Sequence, residues 1–390
     1  MTDYPITPKI NKLPLPDLFT GSDGQRRKTT EAWKELSAYW RDRIIDLEYG
    51  GMPPAPSAVE VETLCHSQVN RWEGQPFLFS YRVHCHGGAK PFSFDVRVIL
   101  PHGPGPHPVI IAGDGCWWYV SDEIAREVTQ RGYALMTFNR TTMAEDNGIA
   151  SDLRHNASPY WPIGQQFIPQ SDPRKGGLYD VYPDGTFGSV AAWAWGYHRC
   201  VDLIHQLPYC DNARIAITGH SRGGKTVLVA GATDDRITLI NDNQSCAAGS
   251  ALFRYVGDSG ETLTILDSFP SWFGRELRAY LGKEEDIPFD QHCLLASIAP
   301  RALLCTYSMD DRWANPEGMV LAVEAAREAY DLLGVRDRLA FHLRPGAHSH
   351  APEDWNVLLD FMAWQWKGEE PGYPYNQHPY RHLDGLLKQA

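Results

Sequence analysis

The chain has 390 residues, 43% hydrophobic and 22% charged, the composition of an ordinary soluble globular protein. Its formal net charge of −12 argues against nucleic acid or an anionic membrane as a partner. No apolar run approaches the roughly 18 residues needed to span a bilayer, so no membrane anchor is expected.

The first residues, Met1-Thr-Asp-Tyr-Pro-Ile-Thr-Pro8, show no basic region followed by an apolar one. That pattern implies a cytoplasmic protein, or a secreted one whose signal has been removed. Eight cysteines are scattered through the chain, none in a C-x-x-C pair. Neither a zinc site nor a disulfide network is indicated, no metal or cofactor is expected, and buried thiols are the plain reading.

Residues 1–28 are rich in Pro, Gly and polar residues and read as an arm lying on the surface. In 30–47, Trp33, Leu36, Tyr39, Trp40, Ile44 and Leu47 recur at helical spacing. Residues 1–50 are therefore expected to form an arm and a docked helix, ahead of one domain over 51–390. Three β-rich runs, 59–65, 77–85 and 93–100, alternate like antiparallel edge strands. His84 and His86 fall on one face with Cys85 opposite, a solvated strand face rather than a metal site.

The pattern then changes to strand–helix alternation. Strands are predicted at 108–112, 133–138, 215–217, 237–240, 302–307 and 339–343. Helices are predicted at 122–130, 188–207, from 225 onward, 317–333 and 353–366. Two aperiodic stretches, about 140–186 and 254–291, read as insertions, the first of them shaping a substrate cleft. The whole implies a doubly wound, mostly parallel α/β sheet with antiparallel N-terminal strands and helices on both faces.

Within that frame, Gly219-His220-Ser221-Arg222-Gly223 stands between a strand and a helix and fits the G-x-S-x-G nucleophile elbow. The turn strains the serine backbone, needs glycines where a Cβ would clash, and exposes the hydroxyl at a helix N-terminus. A serine nucleophile needs a base and an acid to orient it, here expected on loops after late strands. The strand ending at Tyr307 delivers Asp310 and Asp311, of which Asp311 is favoured. The strand ending at Leu343 delivers His348 and His350, of which His348, two residues after Gly346, is favoured. Arg222 is placed to reach a developing oxyanion, assisted by a backbone N–H near Gly113 to Cys116 or after Ser221. Lys225, one helical turn beyond Ser221, is placed to reach substrate hydroxyls or a carboxylate.

Gly-His-Ser-Arg-Gly-Gly-Lys225 resembles the G-[CH]-S-R-x-G-K signature of the glucuronoyl esterases, carbohydrate esterase family fifteen, in the α/β-hydrolase superfamily. Weaker matches follow in family order: Tyr49-Gly-Gly-Met-Pro53, Ala192-Trp-Ala-Trp-Gly196, Phe269-Pro-Ser-Trp-Phe273, Pro288-Phe-Asp-Gln-His292, Ile298-Ala-Pro-Arg-Ala-Leu303 and Asp311-Arg-Trp-Ala-Asn-Pro316. The resemblance implies hydrolysis of 4-O-methylglucuronoyl esters, with Ser221 attacking, His348 as base and Arg222 at the oxyanion. It also implies Lys225, Trp272 and Gln244 as substrate contacts. Fungal members bridge a Cys before the nucleophile to one after the histidine, positions held here by His220 and Ser349. Many members carry a Glu acid in Q-E-S-G. Here Gln244-Ser-Cys-Ala247 has no carboxylate, which moves the acid role to Asp311. Two alternatives stand beside the uronate ester: an acetyl-ester, lactone or other small-ester hydrolase with the same triad, or a non-catalytic binding module. The expected partner is a small-molecule or oligosaccharide ester, and the oligomeric state is open.

Overall fold

The computed structural model describes residues 10–11, 14–117, 120–146, 174–257 and 260–386. In chain order the first elements are β1 (Ile10–Asn11), α1 (Thr30–Tyr49), β2 (Ala58–Gln68), β3 (Phe77–His86), β4 (Phe92–Leu100), β5 (His107–Ala112), α2 (Asp122–Gln130), β6 (Ala134–Phe138) and α3 (Gly177–Val181). They are followed by α4 (Ser189–Ile204), β7 (Cys210–His220), α5 (Arg222–Thr233), β8 (Leu239–Asn243), β9 (Tyr255–Val256), α6 (Ile265–Ser268), α7 (Gln291–Ser297), β10 (Ala302–Ser308), α8 (Pro316–Leu332), β11 (Leu339–Arg344) and α9 (Pro352–Lys367).

Nine strands form one sheet in the order β11-β10-β8-β7-β5-β6-β4-β3-β2. The six from β11 to β6 run parallel, and β4, β3 and β2 extend the sheet as an antiparallel wing. Parallel strands buried on both faces read as near-continuous apolar runs, which is why they stood out in the sequence. Alternation still sorts the residues. Val109, Ile111, Ile215, Ile217 and Ile240 face a core shared with α1, α4, α5, α7 and α8, while Ile110, Ala216, Leu239 and Leu304 face one shared with α2 and α9. Each fully buried aliphatic side chain contributes about 1.5–3 kcal/mol, so these two layers hold the sheet that positions the site.

The expected elements are present, with informative differences at their ends. β7 begins at Cys210, because the polar residues after it pair with β5 across a bulge. β8 runs on to Asn243, so its carboxyl end is polar yet buried. The arm is not wholly superficial. Leu18 and Phe19 are buried, and the Trp40 indole N–H donates to the Leu18 carbonyl (2.8 Å), so the arm packs into the face of α1. Thr29 caps α1 by accepting the Ala32 N–H at 3.2 Å.

On the wing, Cys85 is buried, while His84 and His86 pair with Glu62 and Glu60 on the outer face. Of the first insertion, residues 147–173 lie outside the described residues, and with them most of the expected substrate cleft. No helix among the described residues is long and apolar enough to cross a membrane.

Candidate active site

The six parallel strands end along one edge of the sheet, where open α/β sheets place their sites. Asp114 follows β5, Arg140 follows β6, Ser221 follows β7, Gln244 follows β8, Asp311 follows β10 and His348 follows β11.

Ser221 has φ 57° and ψ −119°, a left-handed conformation costly for a residue with a Cβ. Its N–H donates to the Asn243 carbonyl at 2.8 Å, and α5 begins at the next residue, so its hydroxyl sits at a helix N-terminus. Packing around the turn leaves no space for side chains. A Cβ on Gly219 would lie 2.3 Å from the Gly223 carbonyl oxygen, and one on Gly223 would lie 2.4 Å from an Asp114 carboxylate oxygen. Asp114 also accepts the His220 N–H at 2.8 Å, tying the elbow to the loop after β5.

His348 Nδ1 lies 2.6 Å from Asp311 Oδ2, while Asp310 accepts the Gly346 N–H at 2.7 Å. Asp311 is buried and His348 is 30% exposed, so an oriented carboxylate stands behind an imidazole that solvent and substrate can reach. His350 lies back from this pair, buried and stacked on Trp355 with ring centroids 4.9 Å apart. The His220 ring packs 4.5 Å from that of His348, which brings the elbow and the histidine loop together. Burial first, and then the nearby His348, holds His220 well below the usual histidine range, so it remains neutral there. The Trp313 ring meets His348 edge-on at 5.6 Å.

Arg222 lies over the Trp272 ring (4.4 Å), with Phe269 at 4.9 Å and Trp117 at 5.4 Å. Its Nη1 donates to Asp146 Oδ1 at 3.0 Å. Lys225 does not form a solvent-facing basic pair with it. The ammonium is buried and donates to Glu261 Oε2 (3.0 Å), to the Ser245 carbonyl (2.5 Å) and to the Ala247 carbonyl. Burial raises the Glu261 carboxyl, with Lys225 opposing the shift.

The two further residues expected to touch substrate are placed differently. Gln244 is fully buried, and its amide donates to Ser308 Oγ and to the Ser349 carbonyl, both at 2.9 Å. Trp272 is buried with its indole N–H on Asp146 at 3.0 Å, so its ring meets Arg222 rather than open space. The site also contains Asp114, Asp146 and Glu261, none of which sequence reasoning singled out. Asp114 lay inside the quoted oxyanion loop, whereas Asp146 and Glu261 sit in aperiodic stretches with no local signal.

The family described as glucuronyl esterase, fungi, matches residues 160–334. The structure is similar to a carbohydrate esterase family 15 glucuronoyl esterase from Caldicellulosiruptor kristjansonii, with TM-score 0.77, 29% identity and 94% of each chain covered. The chain thus resembles the glucuronoyl esterases in both sequence and fold. Similar in sequence is the carbohydrate esterase MZ0003 from an unknown prokaryotic organism. It is 38% identical over 193 residues, 45% of this chain and 44% of that protein. The 4-O-methyl-glucuronoyl methylesterase of Hypocrea jecorina is 29% identical over 346 residues, 86% of this chain and 65% of that protein. The chain thus spans less than two thirds of the length of either relative. The fold is that of the α/β-hydrolases, as the sheet order and the elbow already imply.

Proposed function

We propose that this chain is a serine carboxylic-ester hydrolase acting through an acyl-enzyme on a uronate ester of the 4-O-methylglucuronoyl type. The observation that carries the reading is the 2.6 Å contact of His348 with Asp311, on loops facing the strained Ser221 elbow. With Nδ1–H held by the carboxylate, Nε2 is left as the basic nitrogen.

Ser221 Oγ attacks the ester carbonyl while His348 takes its proton, and Asp311 stabilises the imidazolium that forms. The tetrahedral oxyanion is held by the Arg222 guanidinium and by a backbone N–H after Ser221 or in the loop from Gly113 to Cys116. Collapse expels the alcohol, protonated by His348, and leaves the acyl group on Ser221. Water, deprotonated by His348, then releases the acid and restores the serine. Lys225 and Glu261 form a buried polar wall beside this centre, suited to a hydroxylated rather than a hydrocarbon acyl group. The relative from Hypocrea jecorina is itself a 4-O-methyl-glucuronoyl methylesterase, which supports the same acyl class here.

A panel of benzyl glucuronate, an acetylated sugar and a small lactone tests the substrate. The uronate ester is expected to give the highest kcat/KM. Preference for the acetyl ester or the lactone would overturn the uronate assignment and keep the triad chemistry.

A further inference from the structure

Arg222 carries a long side chain, and holding such a chain in one rotamer costs up to about 2 kcal/mol of conformational entropy. Aromatic rings bound the guanidinium but do not fix its rotation in their plane. Among the described residues, Asp146 supplies its only hydrogen-bonded carboxylate. The same Oδ1 accepts the Trp272 indole N–H, so one oxygen aligns the cation and the ring it rests on. The other oxygen lies 3.5 Å from Arg140 Nη1.

Arg140 is fully buried, stacks over Trp193 at 4.2 Å and donates Nε to Asp114 Oδ1 at 2.9 Å. Asp114 in turn holds the His220 N–H. An alternating row, Asp114, Arg140, Asp146, Arg222, therefore runs from the loop after β5 to the residue beside Ser221. Its formal charges cancel, as buried charges require. Asp146 is 8% exposed and its oxygens face protein cations, which leaves it poorly placed to meet substrate. Arg222 commits one nitrogen to Asp146 and keeps N–H donors for an oxygen beside Ser221.

We propose that Asp146 is a positioning residue for the ester hydrolysis assigned to Ser221: it holds the Arg222 guanidinium in the orientation that meets the oxyanion, without touching substrate itself. Because the oxyanion forms on the way to the tetrahedral intermediate and is absent from the bound ester, loss of this alignment lowers kcat and leaves KM nearly unchanged.

The test is a double-mutant cycle on the full chain with benzyl glucuronate, combining Asp146→Asn or Asp146→Ala with Arg222→Gln, each variant checked for Tm. Asp146→Asn keeps an acceptor for Trp272 and serves if Asp146→Ala does not fold. Arg222→Gln is expected to lower kcat about 100-fold, as removal of one oxyanion donor does. Asp146→Asn is expected to lower it about 10-fold with KM within about 3-fold. The double variant is expected to be no slower than Arg222→Gln alone. Multiplicative losses, wild-type kcat in Asp146→Asn, or a loss carried by KM would overturn the proposal. The inference rests on the ester-hydrolase reading, and the two fail separately. An inactive wild type ends that reading, whereas an active wild type with independent losses ends only the role of Asp146.

Discussion

Around Ser221 the chain is held by close backbone packing, whereas around His348 it is held by side chains. The elbow leaves no space for a Cβ at Gly219 or Gly223 and ties its own N–H groups to Asn243 and Asp114. The histidine loop is more open. Its Gly346 N–H is held by Asp310, its Ala347 carbonyl by Ser308 Oγ at 3.0 Å, and its Ser349 carbonyl by Gln244 and by Arg344 at 2.8 Å. Arg344 is itself locked by a two-pronged pair with Asp354, both contacts 2.8 Å and both residues buried. The nucleophile is thus positioned by backbone shape and the base by a polar clamp. Substitutions at the elbow should move stability and activity together, whereas loss of the catalytic acid on the clamped side should cost activity far more than stability.

The largest expected effect falls on the clamped side. Asp311→Asn should lower kcat by about 10⁴-fold by presenting the wrong imidazole tautomer, whereas Asp310→Asn should lose less than about 10-fold. Equal losses in the two variants would mean that the acid is misassigned. Arg344→Met leaves Asp354 buried without its cation and should cost about 3–5 kcal/mol in denaturant unfolding. Activity measured well below its midpoint should also fall, since the Ser349 carbonyl loses one of its donors. Unchanged stability would show that Gln244 and Ser308 suffice to hold the loop.

A further difference lies in the buried acids. Asp354 has Arg344, but Asp242, against which a Cβ on Gly224 would press at 2.4 Å, has hydroxyl donors from Ser245 and Ser250. Burial pushes Asp242 up to about 6, against the hydrogen bonds from Ser250 and Ser245. The folded state therefore holds this proton more tightly than the unfolded chain does. Its contribution is complete below the unfolded pKa of 3.8 and is lost as pH rises to about 6, a slope worth about 3 kcal/mol in all. Asp242→Asn should flatten that part of the stability–pH curve, and an unaltered curve would remove Asp242 as its source. The smallest effect is expected at Gly223→Ala, where the new methyl meets the Asp114 carboxylate. About 1–3 kcal/mol should be lost, with kcat falling alongside Tm. Full activity with lowered Tm would show that the elbow tolerates displacement as the loop does.

The same contrast explains what the sequence made readable. Ser221, Asp311 and His348 could be found because each ends an apolar strand, and the elbow prints its backbone strain as glycines. The carboxyl end of β8 could not. Asn241, Asp242 and Asn243 look like a loop, yet they are buried, with Asn241 bonded to Thr218, Asn243 to His220 and both to Thr306. A strand finished in polar residues that satisfy one another carries no hydrophobic signal. Asp146 and Glu261 were hidden for a related reason: their partners Arg222 and Lys225 are supplied by α5, distant in sequence, so only the folded chain shows the pairing. Leu18 and Phe19 were lost among prolines and glycines, although they fill the face of α1.

Ester hydrolysis at this site requires that Ser221 be activated by His348. Reaction with a fluorophosphonate, followed by mass spectrometry of the modified peptide, reads that activation without assuming any natural ester. The wild type is expected to label at Ser221, Ser221→Ala not at all, and His348→Ala at a rate lower by about 10³-fold or more. Labelling of His348→Ala at the wild-type rate, or labelling at another residue, would contradict it.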